Sequence, residues 1–152
     1  MTGSSAAVIT VEKAQADAVR QAVESGLAAY NAQFAGPIEH GVLTISARDD
    51  NKKIIGGLIA QSLWKWMHVD RLWVDESYRG KGIGHRLLVA AEREAQNRGC
   101  LYCYLNTFDF QARGFYEKHG YSVYAVQTDF PPGHKNFLMR KAFTAIVSQT
   151  PI

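Results

Sequence analysis

From Glu12 to Phe34 the apolar positions Ala14, Ala18, Val19, Ala22, Val23, Leu27 and Tyr30 recur at threes and fours, the spacing that lines one face of an α-helix. Gly26 marks a point at which this stretch would divide into two helices, and Gly36-Pro37 ends it. Ahead of it, Ala7 to Val11 reads as a short first strand. Gly41 to Arg48 is rich in β-formers and closes on the turn signal Asp49-Asp50-Asn51. Ile54 to Leu63 is the returning strand of a hairpin, and Trp66 to Val74 is a further strand. After a glycine-rich turn, Ile83, Leu87, Leu88, Ala91 and Ala95 line one helical face, with Arg86, Glu92, Arg93 and Asn97 turned away. Gly99 is placed to stop that helix. Cys100 to Thr107 is a strand, and Asp109 is the predicted N-cap of a short helix ending at His119-Gly120. Tyr121 to Gln127 and Asn136 to Lys141 are the last strands, joined by the loop Asp129 to His134. The order β-α(α)-β-β-β-α-β-α-β-β predicts an α/β domain built on a mixed sheet.

Composition narrows the class. A chain of 152 residues, 47% hydrophobic and 20% charged, is expected to form a single domain over 1–152, with residues 6–142 as the folded core. The formal net charge is +3, but the basic residues are scattered. That distribution suits an anionic ligand better than a nucleic-acid surface, which needs a basic cluster. Trp64-Lys65-Trp66 is the one hint of a stacking platform, and strand-end packing explains it more simply. No stretch approaches a membrane span, and the N-terminus lacks the features of a secretory signal. The two cysteines, Cys100 and Cys103, cannot supply four zinc ligands, so no metal site is expected. They read as small buried fillers, with a redox pair as the alternative, and free thiols suit a cytoplasmic location.

The chemistry-bearing feature is the turn Arg79-Gly80-Lys81-Gly82-Ile83-Gly84, which joins a strand to a helix. A helix N-terminus leaves N–H groups unpaired and carries partial positive charge, so it accepts anions. Glycines let the backbone close around phosphate oxygens, and Arg79 and Lys81 add full charges. The dinucleotide pattern G-x-G-x-x-G fails here: its third glycine position falls on His85 or Leu87. The Walker A pattern is absent as well. A connector with no ligand is the competing reading, although three alternate glycines are an entropically costly choice for one.

This turn resembles the R/Q-x-x-G-x-G/A motif of the GCN5-related N-acetyltransferase (GNAT) superfamily. The resemblance extends to Arg71-Leu72-Trp73-Val74 with Asp75 to Arg79, to Asn106-Thr107, and to Gly114-Phe115-Tyr116-Glu117-Lys118-His119-Gly120-Tyr121. It implies a mostly antiparallel central sheet splayed between two strands and flanked by helices. It also implies acetyl-CoA as co-substrate, with Arg79, Gly80, Lys81, Gly82, Ile83 and Gly84 at the pyrophosphate. By the same resemblance, the pantetheine arm would pair with Leu72, Trp73 and Val74, and the N–H near Leu72 would polarise the thioester carbonyl. Asn106 would be a further cofactor contact.

Tyr116 stands where the family often keeps a tyrosine serving the sulfur, which implies a general acid and a cofactor contact. Its competing reading is an aromatic core residue beside Phe115. His68 and Asp70 precede the pantetheine segment, and two residues apart on a strand they are expected to share a face. Family members place bases there, and His68 has the more suitable ordinary pKa. Asp70 alternatively holds the substrate ammonium or pairs with Arg71, and Glu76 is a weaker candidate base. The acceptor pocket is implied at Leu27 to Phe34 and Asp129 to His134, through Tyr30, Asn31, Asp129, Phe130 and His134. The predicted activity is acetyl transfer to a primary amine of a small molecule. The alternatives are a protein or peptide N-acetyltransferase and a non-catalytic acyl-CoA sensor. No nucleic-acid or membrane partner is expected, and a homodimer is compatible with the pattern.

Overall fold

In the computed structural model, which describes residues 6–37 and 40–143, the backbone falls into two compact units, Met1–Ile38 and Glu39–Ile152. The first unit carries helix α1 (Asp17–Ala35). This helix starts five residues later than its apolar spacing predicts and runs unbroken through Gly26. One glycine costs a helix interior only about 1 kcal/mol, which 19 residues absorb. The N-terminal end has no side-chain cap, but Asp17 sits in the first turn, where its charge suits the helix dipole. Residues 7–11 have no regular secondary structure, contrary to the expected first strand. A short apolar run of that length becomes a strand only if it pairs.

The second unit is a six-stranded sheet in the order β1-β2-β3-β4-β6-β5. Strands β1 (His40–Arg48), β2 (Ile54–Leu63) and β3 (Trp66–Val74) form an antiparallel meander. The predicted turn between the first two is held by Asp49, whose Oδ1 accepts from the Asn51 and Lys53 amides at 2.9 Å. Helix α2 (Ile83–Asn97) then crosses to β4 (Tyr102–Phe108), which lies parallel to β3. After α3 (Arg113–Lys118), strands β5 (Ser122–Thr128) and β6 (Lys135–Ala142) complete the sheet, with β6 inserted between β4 and β5.

Leu87, Leu88, Ala91 and Ala95 form the buried face of α2, as their spacing predicts, and α2 packs on β1, β2 and β3. They meet Leu58, Met67, Val69, Leu105 and Met139 in one apolar core. Each large aliphatic side chain buried there contributes roughly 1.5–3 kcal/mol. Cys100 and Cys103 are both free and buried in this core, which fits the filler reading. Burial pushes the Cys103 thiol up to about 12, so it stays a neutral thiol with little nucleophilic character. Cys100 precedes β4 rather than opening it.

Two irregularities position the site. Along β3, Val69 pairs with Ala60 and Arg71 with Ile59, so Asp70 is the extra residue of a β-bulge. The bulge resets the alternation: Met67 and Val69 are buried in the core, and Leu72 and Val74 beyond it also pack on that core. The second irregularity is the parallel pairing of β3 with β4. It runs through Trp66–Tyr102, Met67–Cys103 and His68–Tyr104 and stops there. Strand β3 continues to Val74 paired only with β2, and β4 continues to Phe108 paired only with β6. The sheet therefore opens into a fork just past His68.

Candidate active site

The fork is the mouth of a cleft of about 1060 Å³. One wall is β3 from Val69 to Val74 with the turn that follows it, and the other is Asn106 to Phe108 with Phe115 and Tyr116 of α3. Past His68, the β3 edge that faces β4 has no partner strand. Unpaired N–H and C=O groups along a strand edge are a template for an extended, amide-bearing chain.

At its far end the cleft reaches the glycine turn. Gly80 and Gly82 have φ of 74° and 78°, backbone that only glycine adopts without strain. Gly82 is the N-cap of α2, and no side chain caps that end. The first intrahelical bond runs from the Arg86 amide to the Gly82 carbonyl, so the Ile83, Gly84 and His85 amides have no carbonyl one turn back. A Cβ at Gly82 would meet nothing within 4 Å. Open space, free amides and the positive helix end make an anion cradle. Gly84 differs: a Cβ there would lie in ordinary contact with the Phe115 ring at 3.6 Å, so α3 packs against this point of α2 and an alanine would also fit.

The cations are partly engaged within the protein. Arg79 lines the cleft and donates Nε–H to the Val74 carbonyl at 3.0 Å, tying the turn to the end of β3. Lys81 holds its ammonium 5.2 Å from the Tyr78 ring centroid. It is the one residue of the predicted pyrophosphate segment outside the cleft lining.

Tyr116 is buried and lines the cleft between the rings of Phe115 and Tyr121. Both readings of this residue therefore apply: the ring is core, and the residue also reaches the cleft wall. Burial pushes its hydroxyl up to about 12, so it remains a neutral proton donor across the physiological range. Asn106 lines the cleft across from β3 and is held by a relay. Its Nδ2 donates to Asn136 Oδ1 at 3.0 Å, and Asn136 Nδ2 donates to Gln127 Oε1 at 2.7 Å.

His68 and Asp70 do not stand as period two predicts, because the bulge falls on Asp70 itself. Asp70 lines the cleft, whereas His68 does not. His68 stacks on Tyr104 with ring centroids 4.5 Å apart and planes 10° apart, at the last β3–β4 pair. Burial lowers the His68 pKa below the ordinary histidine value, partly offset by the nearby Asp70 charge. Asp70 and Arg71 approach to 3.8 Å with Arg71 well exposed, a weak contact.

The predicted acceptor residues divide between the two units. Tyr30 and Asn31 lie on α1, where Tyr30 packs on Phe34 with centroids 5.3 Å apart. In the second unit, Phe130 and His134 join an aromatic group with two cleft residues. Phe108 meets Phe130 at 5.7 Å, and Phe110 meets His134 at 4.9 Å. Asp129 adopts φ of 53° and turns its carboxylate back toward the Gly133 amide at 3.5 Å. Asp109 does not cap α3. Its carboxylate binds His134 Nδ1 at 2.8 Å and the Lys135 amide at 3.0 Å, pinning the Asp129–His134 loop to the end of β4. Gln111 and Thr107 instead serve the backbone before α3: Gln111 Oε1 accepts from the Phe108 amide, and Thr107 Oγ1 accepts from the Ala112 amide. Phe108, Phe110 and Gln111 were not singled out by the sequence because their place in the wall depends on the fork.

A strand edge opened by a fork, running into a glycine-capped helix start, is the feature that the family comparison addresses. The profile described as the acetyltransferase (GNAT) family matches residues 11–121. The chain belongs to this family. It is an acyltransferase, and its sheet is the GNAT sheet, splayed between β3 and β4. Among similar proteins, the blasticidin-S acetyltransferase of Streptomyces morookaense is 42% identical over 108 residues, covering 70% of this chain and 78% of that one. The crystal structure of an acetyltransferase from Bacillus cereus ATCC 14579 superposes with a TM-score of 0.80 at 30% identity, covering 89% of this chain and 98% of that one. An aminoglycoside 6'-N-acetyltransferase complexed with coenzyme A shares the fold, with a TM-score of 0.60 at 23% identity, over 66% of this chain and 72% of that one. Among the described residues, no helix is long and apolar enough to cross a membrane.

Proposed function

We propose that this GNAT protein transfers an acetyl group from acetyl-CoA directly to a primary amine of a small molecule. The observation that carries the reading is the fork: the β3 edge from Asp70 to Val74 is unpaired toward β4 and leads into the uncapped start of α2. A diphosphate on the amides of Gly82 to His85 and an amide-bearing arm along Leu72, Trp73 and Val74 would occupy both features at once. Gly80, Ile83 and Gly84 complete the cradle, with Arg79 as the nearby cation and Lys81 as a more distant one. Asn106 contacts the arm from the opposite strand. The profile match spans residues from both units, which supports reading 1–152 as one N-acetyltransferase domain. The coenzyme A in the aminoglycoside enzyme and the antibiotic named for the Streptomyces relative support the donor and the acceptor class.

In the reaction proposed, the amine nitrogen attacks the thioester carbonyl carbon, the C–S bond breaks, and the amine loses one proton while the thiolate gains one. Tyr116 donates to the departing sulfur, a role suited to a hydroxyl that stays neutral to about pH 12. A free alkylammonium has a pKa near ~10.4, so the acceptor must first shed a proton. Asp70 draws the ammonium into the cleft, and His68, kept neutral by burial, takes the proton through Asp70 or water. Asp129 and Phe130 are assigned to the acceptor side, with Tyr30 and Asn31 of α1 as separate acceptor candidates, and the chain works as a cytoplasmic enzyme without a metal.

Thiol release from acetyl-CoA, measured against nucleoside and aminoglycoside antibiotics, polyamines, amino acids and peptides, tests the reading. Turnover with a small-molecule amine is expected. Turnover confined to peptides would replace the acceptor class, and coenzyme A binding without thiol release for any amine would make the protein a sensor.

A further inference from the structure

Two histidines close the wall between α2 and α3, next to the anion cradle. His85, in the first turn of α2, lines the cleft. Its Nδ1 lies 2.7 Å from Nε2 of His119, which follows the last residue of α3. The other His119 nitrogen, Nδ1, lies 2.8 Å from the Phe115 carbonyl. The Phe115 ring fills the space under the pair, 4.5 Å from the His119 ring and against Gly84.

The hydrogen positions follow from these contacts. A carbonyl only accepts, so His119 Nδ1 carries a hydrogen. Two facing lone pairs at 2.7 Å repel, so one hydrogen also lies between His119 Nε2 and His85 Nδ1. In the neutral pair both protons are then spent, and His85 Nε2 is a bare lone pair, which repels an anion. One further proton turns Nε2 into an N–H donor and gives the pair a single positive charge. Among the described residues, no other side chain is within hydrogen-bond distance of His85.

Resting on the coenzyme A reading above, we propose that the His85–His119 pair is a diphosphate-binding element that takes up one proton when the cofactor binds. His85 touches the phosphate oxygens, and His119 is a positioning residue that fixes which nitrogen is free. The ligand class is a diphosphate ester, not a nucleobase or a carboxylate, because the pair borders the free amides of the α2 start. The charged groups nearby in the chain are Arg79, Lys81 and Arg86 on the turn and α2, and Glu117 and Lys118 on α3. Arg79 is held by the Val74 carbonyl and Glu117 by Arg113. The histidine pair thus adds cationic charge where the fixed cations are partly committed.

Isothermal calorimetry with dephospho-CoA tests this. That ligand lacks the phosphomonoester, whose own second pKa near ~6 would confuse a proton count. Titrations in two buffers of different ionisation enthalpy are expected to show net proton uptake on binding, of at most one proton. Affinity should weaken as pH rises, by at most about tenfold per pH unit, the limit for one linked proton. His85→Asn should lose affinity and the uptake together, and His119→Asn should reduce both. His85→Lys should bind with no uptake and little pH dependence between pH 6 and 9. Binding by the native protein without proton uptake, or His85→Asn binding as the native protein does, would reduce the pair to a strut between helices and overturn the proposal. That result leaves the coenzyme A reading standing. No binding of coenzyme A or dephospho-CoA would overturn both.

Discussion

The two halves of β3 are nine residues of one strand with opposite fates. From Trp66 to His68 the strand is paired on both sides, with β2 and with β4, and Met67 is wholly buried. From Asp70 to Val74 it is paired on one side only, and every residue lines the cleft. A fully paired strand has satisfied backbone and serves as scaffold; a half-paired one keeps its hydrogen-bonding groups for something else. The bulge at Asp70 stands at the boundary, and there it re-aims the side chains that follow. Scaffold and site are thus separated by one extra residue.

The comparison can be broken most directly at the cradle that ends the open half. Gly82→Glu would put a side chain and a negative charge where the α2 amides converge, in a residue whose φ of 78° already disfavours any Cβ. Loss of detectable acetyl-CoA binding by calorimetry is expected while the far-ultraviolet spectrum stays native; retained affinity would sink the cofactor assignment. In the paired half, Met67→Ala should act on stability instead. Removing a core side chain of this size costs about 2–5 kcal/mol, read as a lower urea midpoint, with coenzyme A affinity of the folded protein unchanged. A Met67→Ala protein that keeps its midpoint but loses the cofactor would erase the division between the halves.

Smaller effects sharpen the chemistry. Tyr116→Phe should lower kcat by roughly 100-fold or more, the range of general-acid contributions, and leave cofactor affinity nearly intact. Because the hydroxyl titrates only near pH 12, the native rate should show no alkaline fall from this residue below pH 10. The smallest expected effect concerns His68. Its pKa is lowered by burial, so the neutral base persists as pH falls below the ordinary histidine value, and the acid limb of kcat/KM should lie below about 6.5. Asp70 raises the His68 pKa, so Asp70→Asn should move that limb further toward acid. A limb that stays in place in both Asp70→Asn and His68→Asn would remove His68 from the proton path.

Much of the frame was legible because it depends on local periodicity. The ranges of β2 and β3, the buried face of α2 and the glycine turn are all written in spacings of two, or of three and four, that neighbouring residues enforce. The failures share one cause, which is distance along the chain. Asp109 looks like a helix cap, but His134 and the Lys135 amide, 25 and 26 residues away, take its carboxylate. The shared face expected for His68 and Asp70 assumed unbroken alternation, and a bulge is defined by the partner strand. Residues 7–11 are an apolar run of strand length, yet they form no strand.

By itself, the sequence determined the element order from the first hairpin onward, the apolar face of α2 and the glycine turn that opens it, because each follows from residues within a few positions of one another. The family likeness of the Arg79 to Gly84 turn was also readable, since glycines at fixed spacing encode backbone freedom directly. Tertiary structure alone decided where β3 and β4 part, that Asp70 would be the bulged residue, and that His85 would meet His119 across 34 positions. These depend on which strands and helices become neighbours. That choice is made by burying the whole core at once, and no single segment records it.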